Sequence, residues 1–158
     1  MADLVKEKEL RLLRALVRKR VRFLLVGLSA AALQGAPVVT QDVDLWFEDL
    51  ADPNLIDALK MVGAAYVPPI MLNPPMLAGG GTEMFDIVLR MDGLRPFSEE
   101  WKGSRRILIE GLEVRVLPIE RIIVSKRAAN RPKDKLVIGV LEDLLRMKKI
   151  KSPRTRQL

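Results

Sequence analysis

The sequence predicts an α/β (α+β) chain in which short strands alternate with helices and two further helices close the C-terminal part. Three observations carry this. Two β-like runs, 22–26 and 43–47, are each followed by a helical stretch. The runs 107–110 and 112–116 flank Gly111 with strand-like alternation, as a hairpin would. Pro118 and Pro132 each stand where a helix would open, because a first-turn residue needs no N–H partner. A length of 158 residues, 49% apolar and 30% charged, suits one compact domain. The expected division is a single domain over 1–148 and a basic tail over 149–158.

In order, Leu4, Leu10, Leu13 and Leu16 recur at helical spacing among charges, so 3–20 reads as an amphipathic helix with Asp3 as N-cap. The strand 22–26 turns at Gly27 into a helix that runs through Leu33 and stops at Gly35. After Pro37 comes the strand 43–47, then a helix capped by Asp52, with Pro53 at its first position, reaching about Val62. Four prolines and three consecutive glycines between Gly63 and Thr82 predict an irregular loop. A strand resumes over 84–89, followed by a loop, the hairpin, a helix from Pro118 through about Ala129 and another from Lys133 to about Lys148.

Composition excludes several chemistries. With no cysteine and no histidine there is no disulfide, no thiolate zinc site and no imidazole base. Any metal must be held by oxygen, which points to a hard cation such as Mg2+ or Mn2+. The longest apolar stretches fall short of the ~20 residues that span a bilayer, and the mixed charges of the N-terminus do not suit a secretory signal, so a cytoplasmic protein is expected. The net charge of +7 is uneven: 15 basic against 17 acidic residues through Glu120, then 12 against 3. A basic C-terminal quarter attracts polyanions, nucleic acid above all, or serves simply as a solvated face.

The most informative stretch is Asp42-Val43-Asp44-Leu45. Residues two apart on a strand point to the same side, so both carboxylates project together, and such a pair either clamps the cations of phosphoryl transfer or guards a strand end in solvent. Upstream, Val26-Gly27-Leu28-Ser29 turns a strand into a helix and offers backbone N–H groups and a hydroxyl to a phosphate, or is a plain capped turn. Gly79-Gly80-Gly81-Thr82 lacks the lysine of a Walker loop and reads as a flexible loop. Lys126, Arg127, Arg131 and Lys133 stand near two helix boundaries, where they meet phosphates or water.

An apolar strand, a Gly-x-Ser turn, a short helix and Asp-h-Asp together resemble the signature of the polymerase β-like nucleotidyltransferase superfamily. Gly35, Thr40, Asp42, Asp44, Lys126 and Arg131-Pro132-Lys133-Asp134 are similar to small prokaryotic nucleotidyltransferases related to toxins of type IV toxin–antitoxin systems. The resemblance covers about 21–147. It implies a nucleotidyltransferase-like mixed β-sheet flanked by helices, and a third carboxylate on a neighbouring strand, for which Asp86 is the candidate. A lone aspartate in the apolar run 85–89 needs a partner, either a shared metal or a salt bridge to Arg90 or Arg105. The implied activity is metal-dependent transfer of a nucleoside monophosphate from a nucleoside triphosphate to a hydroxyl of RNA, tRNA foremost, or of protein. Asp42, Asp44 and Asp86 would be catalytic and metal-binding; Gly27, Ser29 and Lys126 would bind the nucleotide. The alternative is a non-catalytic module of this fold, such as an antitoxin or a nucleic-acid-binding subunit, favoured by Leu28 within the turn and by Val38 where a basic residue is common. A partner protein or a homo-oligomer fits the small size of the chain.

Overall fold

The computed structural model describes residues 7–151. Helix α1 (Glu7–Arg18) buries Leu10, Leu13 and Leu16 on one side, as their spacing dictates; Leu4 and Asp3 lie outside the described residues. Strand β1 (Phe23–Val26) is buried along its length and passes directly into α2 (Gly27–Leu33). Strand β2 (Val43–Phe47) is followed by α3 (Pro53–Met61), where the Asp52 carboxylate accepts the Asn54 N–H at 2.9 Å. After β3 (Ala64–Val67), β4 (Met76–Gly79) and β5 (Phe85–Val88) come α4 (Phe97–Lys102), the hairpin β6 (Arg105–Ile109) and β7 (Leu112–Val116), then α5 (Ile119–Ala129) and α6 (Pro132–Lys151).

Five strands form one mixed sheet in the order β5-β2-β1-β7-β6. Strand β1 runs antiparallel to β2 and parallel to β7, while β5 runs parallel to β2. Helix α1 packs on α3, α2 packs on β1, β2 and α5, and α5 packs on α6. The core between them is formed by Leu24, Leu25, Leu45, Leu117, Ile119 and Ile122, each at most 1% exposed. No helix among the described residues is long and apolar enough to cross a membrane.

Three sequence expectations are corrected. The stretch expected as an irregular loop after Gly63 holds β3 and β4, a separate antiparallel ribbon. Its prolines, at 68, 69, 74 and 75, sit in the connection between the two strands, where a missing N–H interrupts no ladder. Helix α4 occupies a stretch read as loop; at six residues it lacks the length of a periodic signal, and its Phe97 packs edge-on against Trp46 of β2. Helix α6 runs through Lys151, so the first three residues of the expected tail continue the helix, and 152–158 lie outside the described residues.

Candidate active site

Strand register assembles the site. Val26 is paired with Asp44 across β1 and β2, and Asp44 with Asp86 across β2 and β5. Because paired residues on neighbouring strands share a face, Asp44 and Asp86 stand side by side at the end of β1 where the chain turns at Gly27. Asp42 lies two residues before Asp44, just ahead of β2. The Thr40 hydroxyl steadies it by accepting the Asp42 N–H at 3.3 Å and donating to the Asp42 carbonyl at 3.1 Å. All three carboxylates line one cleft of about 690 Å³ together with Gly27, Thr40 and Lys126. Asp42 and Asp86 are exposed there, and Asp44 is half-buried.

The turn at the end of β1 is built around Asp44. Gly27 has φ +66°, where a side chain is strained, and a Cβ at this position would run into the Asp44 carboxylate. Glycine therefore lets the backbone turn and leaves the carboxylate its room. Ser29, expected to meet phosphate, is buried behind the turn. Its hydroxyl donates to the Val26 carbonyl at 3.0 Å and accepts the Asp44 N–H at 3.2 Å. These bonds tie α2 to β1 and β2 and position Asp44, and Ser29 is not among the residues that line the cleft. Leu28 does line it. The glycines at 79–81 lie outside the cleft and form a turn with three consecutive positive φ angles, 78°, 61° and 76°.

Electrostatics mark the carboxylates as a strained group. Burial, then the charges of Asp86 and Asp42, push the Asp44 carboxyl up from 3.8 to about 6, against a smaller opposing pull from Lys126. Burial and Asp42 push Asp86 upward as well. The salt-bridge alternatives for Asp86 are not formed: Arg90 pairs with Asp92 at 3.3 Å and Arg105 donates to the Gln34 side chain at 3.4 Å.

Helices α5 and α6 supply the opposite wall. Lys126 on α5 is largely buried and lies 3.5 Å from Asp134, which is only 2% exposed. Asp134 also accepts the Arg131 N–H at 3.2 Å and the Arg131 guanidinium at 2.9 and 3.2 Å. It is the third residue of α6 reaching back to the residue before the helix, half of a capping box. These bonds from Arg131 outweigh burial and hold its carboxyl below the ordinary range. Arg131 and Lys133 line the cleft with Lys126, whereas Arg127 turns away to pair with Glu142 on α6. The sequence reading quoted Asp134 within Arg131-Pro132-Lys133-Asp134 without giving it a role. The signal was there in its spacing of three from Arg131, but its link to Lys126 crosses a helix boundary and is a tertiary fact.

A divalent cation fits the donor set by chemistry: the anionic groups of the cleft are carboxylates, whose mutual repulsion a cation relieves. Among the described residues no three carboxylates stand close enough to cage an ion as they are placed. That suits Mg2+, which is held by one or two carboxylates with substrate phosphates and water completing its shell. Asp42 and Asp44 would provide those ligands, and Asp86 would approach a second ion.

No family model matches the sequence, and no curated protein matches it closely enough to align. Solved structures do. The chain is similar to the crystal structure of ANT(2″)-Ia in complex with adenylyl-2″-tobramycin, with a TM-score of 0.54 and 18% identity over 92% of each chain. It is likewise similar to the solution structure of the antibiotic-resistance factor ANT(2″)-Ia, with a TM-score of 0.56 and 16% identity over 94% of this chain and 88% of that one. At these identities the likeness is one of fold, and the fold is nucleotidyltransferase-like.

Proposed function

We propose that this protein is a metal-dependent nucleotidyltransferase that moves a nucleoside monophosphate from a nucleoside triphosphate to an acceptor hydroxyl. One observation carries the reading: Asp44 and Asp86 stand in register on parallel strands, with Asp42 beside them, facing one cleft whose other wall holds Lys126. A bound Mg2+ would neutralise the triphosphate and stabilise charge developing at the α-phosphate. Asp42 and Asp44 orient the triphosphate. Asp86, exposed to the cleft on the strand beside Asp44, is the carboxylate placed to accept a proton from the acceptor. It takes the hydrogen of the acceptor hydroxyl as the oxygen bonds to the α-phosphorus and the bond to the β-phosphate oxygen breaks. Pyrophosphate leaves carrying the displaced electron pair, toward Lys126, Arg131 and Lys133.

The acceptor we favour is RNA, tRNA foremost, because the basic residues cluster in the C-terminal quarter and three of them line the cleft. Protein hydroxyls and, after the adenylylated tobramycin bound to ANT(2″)-Ia, aminoglycoside hydroxyls are the other arms of the test. The assay measures pyrophosphate release with Mg2+, each of the four nucleoside triphosphates and each acceptor class, for the wild type and Asp44→Asn. Release that needs an acceptor and disappears in the variant supports the reading. A second reading, a non-catalytic nucleotide-binding module, is favoured by Leu28, an apolar residue within the turn that lines the cleft. It wins if Mg2+ with nucleotide raises the melting temperature in an Asp44-dependent way while no acceptor yields pyrophosphate.

A further inference from the structure

The other end of β1 carries a second pocket, of about 280 Å³, lined by Arg20, Arg22, Arg115, Trp101 and Glu113. We propose that this pocket binds a phosphate group, held by Arg20, Arg22 and Arg115. The inference does not depend on nucleotidyl transfer, because none of these residues lines the carboxylate cleft.

The Arg22 and Arg115 guanidinium groups converge on the Trp101 ring, and Arg20 lines the same pocket. Arg115 lies 4.5 Å and Arg22 5.4 Å from the centre of the Trp101 ring. Arg115 is fixed further by donating to the Trp101 carbonyl at 3.3 Å and the Ser104 hydroxyl at 3.1 Å, so its fork is oriented before any ligand arrives. Glu113, the carboxylate at the pocket, lies 3.6 Å from Arg106. Arg22 pairs with Glu48 at 3.6 Å, with the Arg22 side chain more than half exposed. Burial, then Arg106, lower the Arg115 pKa from its ordinary value, against an opposing pull from Glu113 and with a smaller contribution from Arg22.

Arg20 adds an independent observation. It sits just beyond α1 with φ +58°, a left-handed conformation that glycine takes without strain. Its N–H is bonded to the Val17 carbonyl and the next N–H to the Leu16 carbonyl, so this is the turn that ends the helix. An arginine there runs against local stability, and its side chain lines the pocket. Planar guanidinium forks suit the oxygens of phosphate, and three of them surround a tetrahedral group better than a planar carboxylate. With Phe97 stacked on Trp101 and Arg115 over its ring, the ring is already engaged. The guanidinium edges are therefore what the pocket offers, and the phosphate comes either as a free ion or on an RNA strand.

Pyrophosphate without added metal is titrated into the full chain and followed by the indole N–H signals of the two tryptophans. The Trp101 signal should shift and the Trp46 signal should not. Arg20→Gly and Arg22→Gln should each weaken binding at least ~10-fold, with the melting temperature of Arg20→Gly kept or raised. Lys126→Gln, at the other cleft, should leave this affinity unchanged. Equal affinity in Arg20→Gly and Arg22→Gln, loss of binding in Lys126→Gln, or acetate binding as tightly as pyrophosphate overturns the proposal. For a single-stranded RNA, removing both arginines should flatten the dependence of log affinity on log salt by about 1.4 if the phosphate belongs to the strand. An unchanged slope, with pyrophosphate binding lost, assigns the site to the free ion.

Discussion

Replacing Asp44 by asparagine should make the unliganded protein more stable at neutral pH while abolishing its response to Mg2+ and nucleotide. The carboxyl is raised from 3.8 to about 6, chiefly by burial and then by Asp86 and Asp42. A folded-state pKa above the unfolded value means that the native state holds the proton more tightly. Stability therefore falls as pH rises from about 4 to 6, and above that window the full penalty of the ionised group is present. Two pKa units correspond to ~3 kcal/mol, and solvent screening in an open cleft reduces this to ~1–2 kcal/mol. Asparagine has nearly the same shape and no charge. Its melting temperature should exceed the wild type's by about 2–8 °C at pH 8 and match it near pH 4, where Asp44 is already neutral. Thermal melts across that range test the sign and the size together. With Mg2+ and nucleoside triphosphate added, the wild type should gain stability and the variant should not. A variant that melts at or below the wild type at pH 8, or whose gain persists at pH 4, would refute the argument that crowded carboxylates wait for a cation.

Three further outcomes follow from the same geometry. Ser29→Ala removes a buried hydroxyl that serves both Val26 and Asp44, so it should cost ~1–3 kcal/mol in denaturant melts; it should also lower kcat, since the carboxylate it holds is displaced, and unchanged kcat would reduce Ser29 to a packing role. Lys126→Gln takes a charge from the phosphate wall and should lower kcat/KM for the nucleotide ~10–100-fold, measured as pyrophosphate release; an unaltered value removes Lys126 from the site. Arg121→Leu strands Glu100, a buried carboxylate that accepts two bonds from Arg121, at 3.0 and 2.7 Å, and the Arg95 N–H at 2.9 Å. Burial pushes Glu100 up, but those bonds outweigh it and hold its carboxyl below the ordinary 4.5. The pair's contribution is thus present above that pH and lost as pH falls through the depressed value. The variant should lose ~3–5 kcal/mol at pH 7, and its melts should approach the wild type's toward pH 3; a pH-independent deficit would show that packing and not charge is responsible.

Much of the fold was legible because local rules agreed with one another. The strand over 43–47, the helix capped by Asp52 and opened by Pro53, and the hairpin at Gly111 each carry their own period or punctuation. The ribbon of β3 and β4 was hidden because prolines that decorate its tip read as breakers of the whole segment. Helix α4 was hidden because its evidence, Phe97, Glu100 and Trp101 at helical spacing, fills less than two turns. In the candidate site, Asp42, Asp44 and Lys126 lay within readable motifs, whereas the bonds of the Ser29 hydroxyl to Val26 and Asp44 were not legible, since a hydroxyl's direction depends on what packs behind it.

By itself the sequence determined the chemistry open to this protein: no thiol, no imidazole, two aspartates two positions apart at 42 and 44 and a basic C-terminal quarter. Only the tertiary structure decided which of these groups meet. Asp86 stands beside Asp44 because β5 pairs with β2 in one register, and a slip of one residue would turn its side chain to the other face. Lys126 faces the carboxylates because α5 packs on α2, and Asp134 holds it there from the next helix. Arg22 and Arg115 meet over Trp101, which comes from α4, because β1 and β7 run side by side. Contacts of this kind join residues tens of positions apart, and their energies depend on burial and register, which no local pattern of residues encodes.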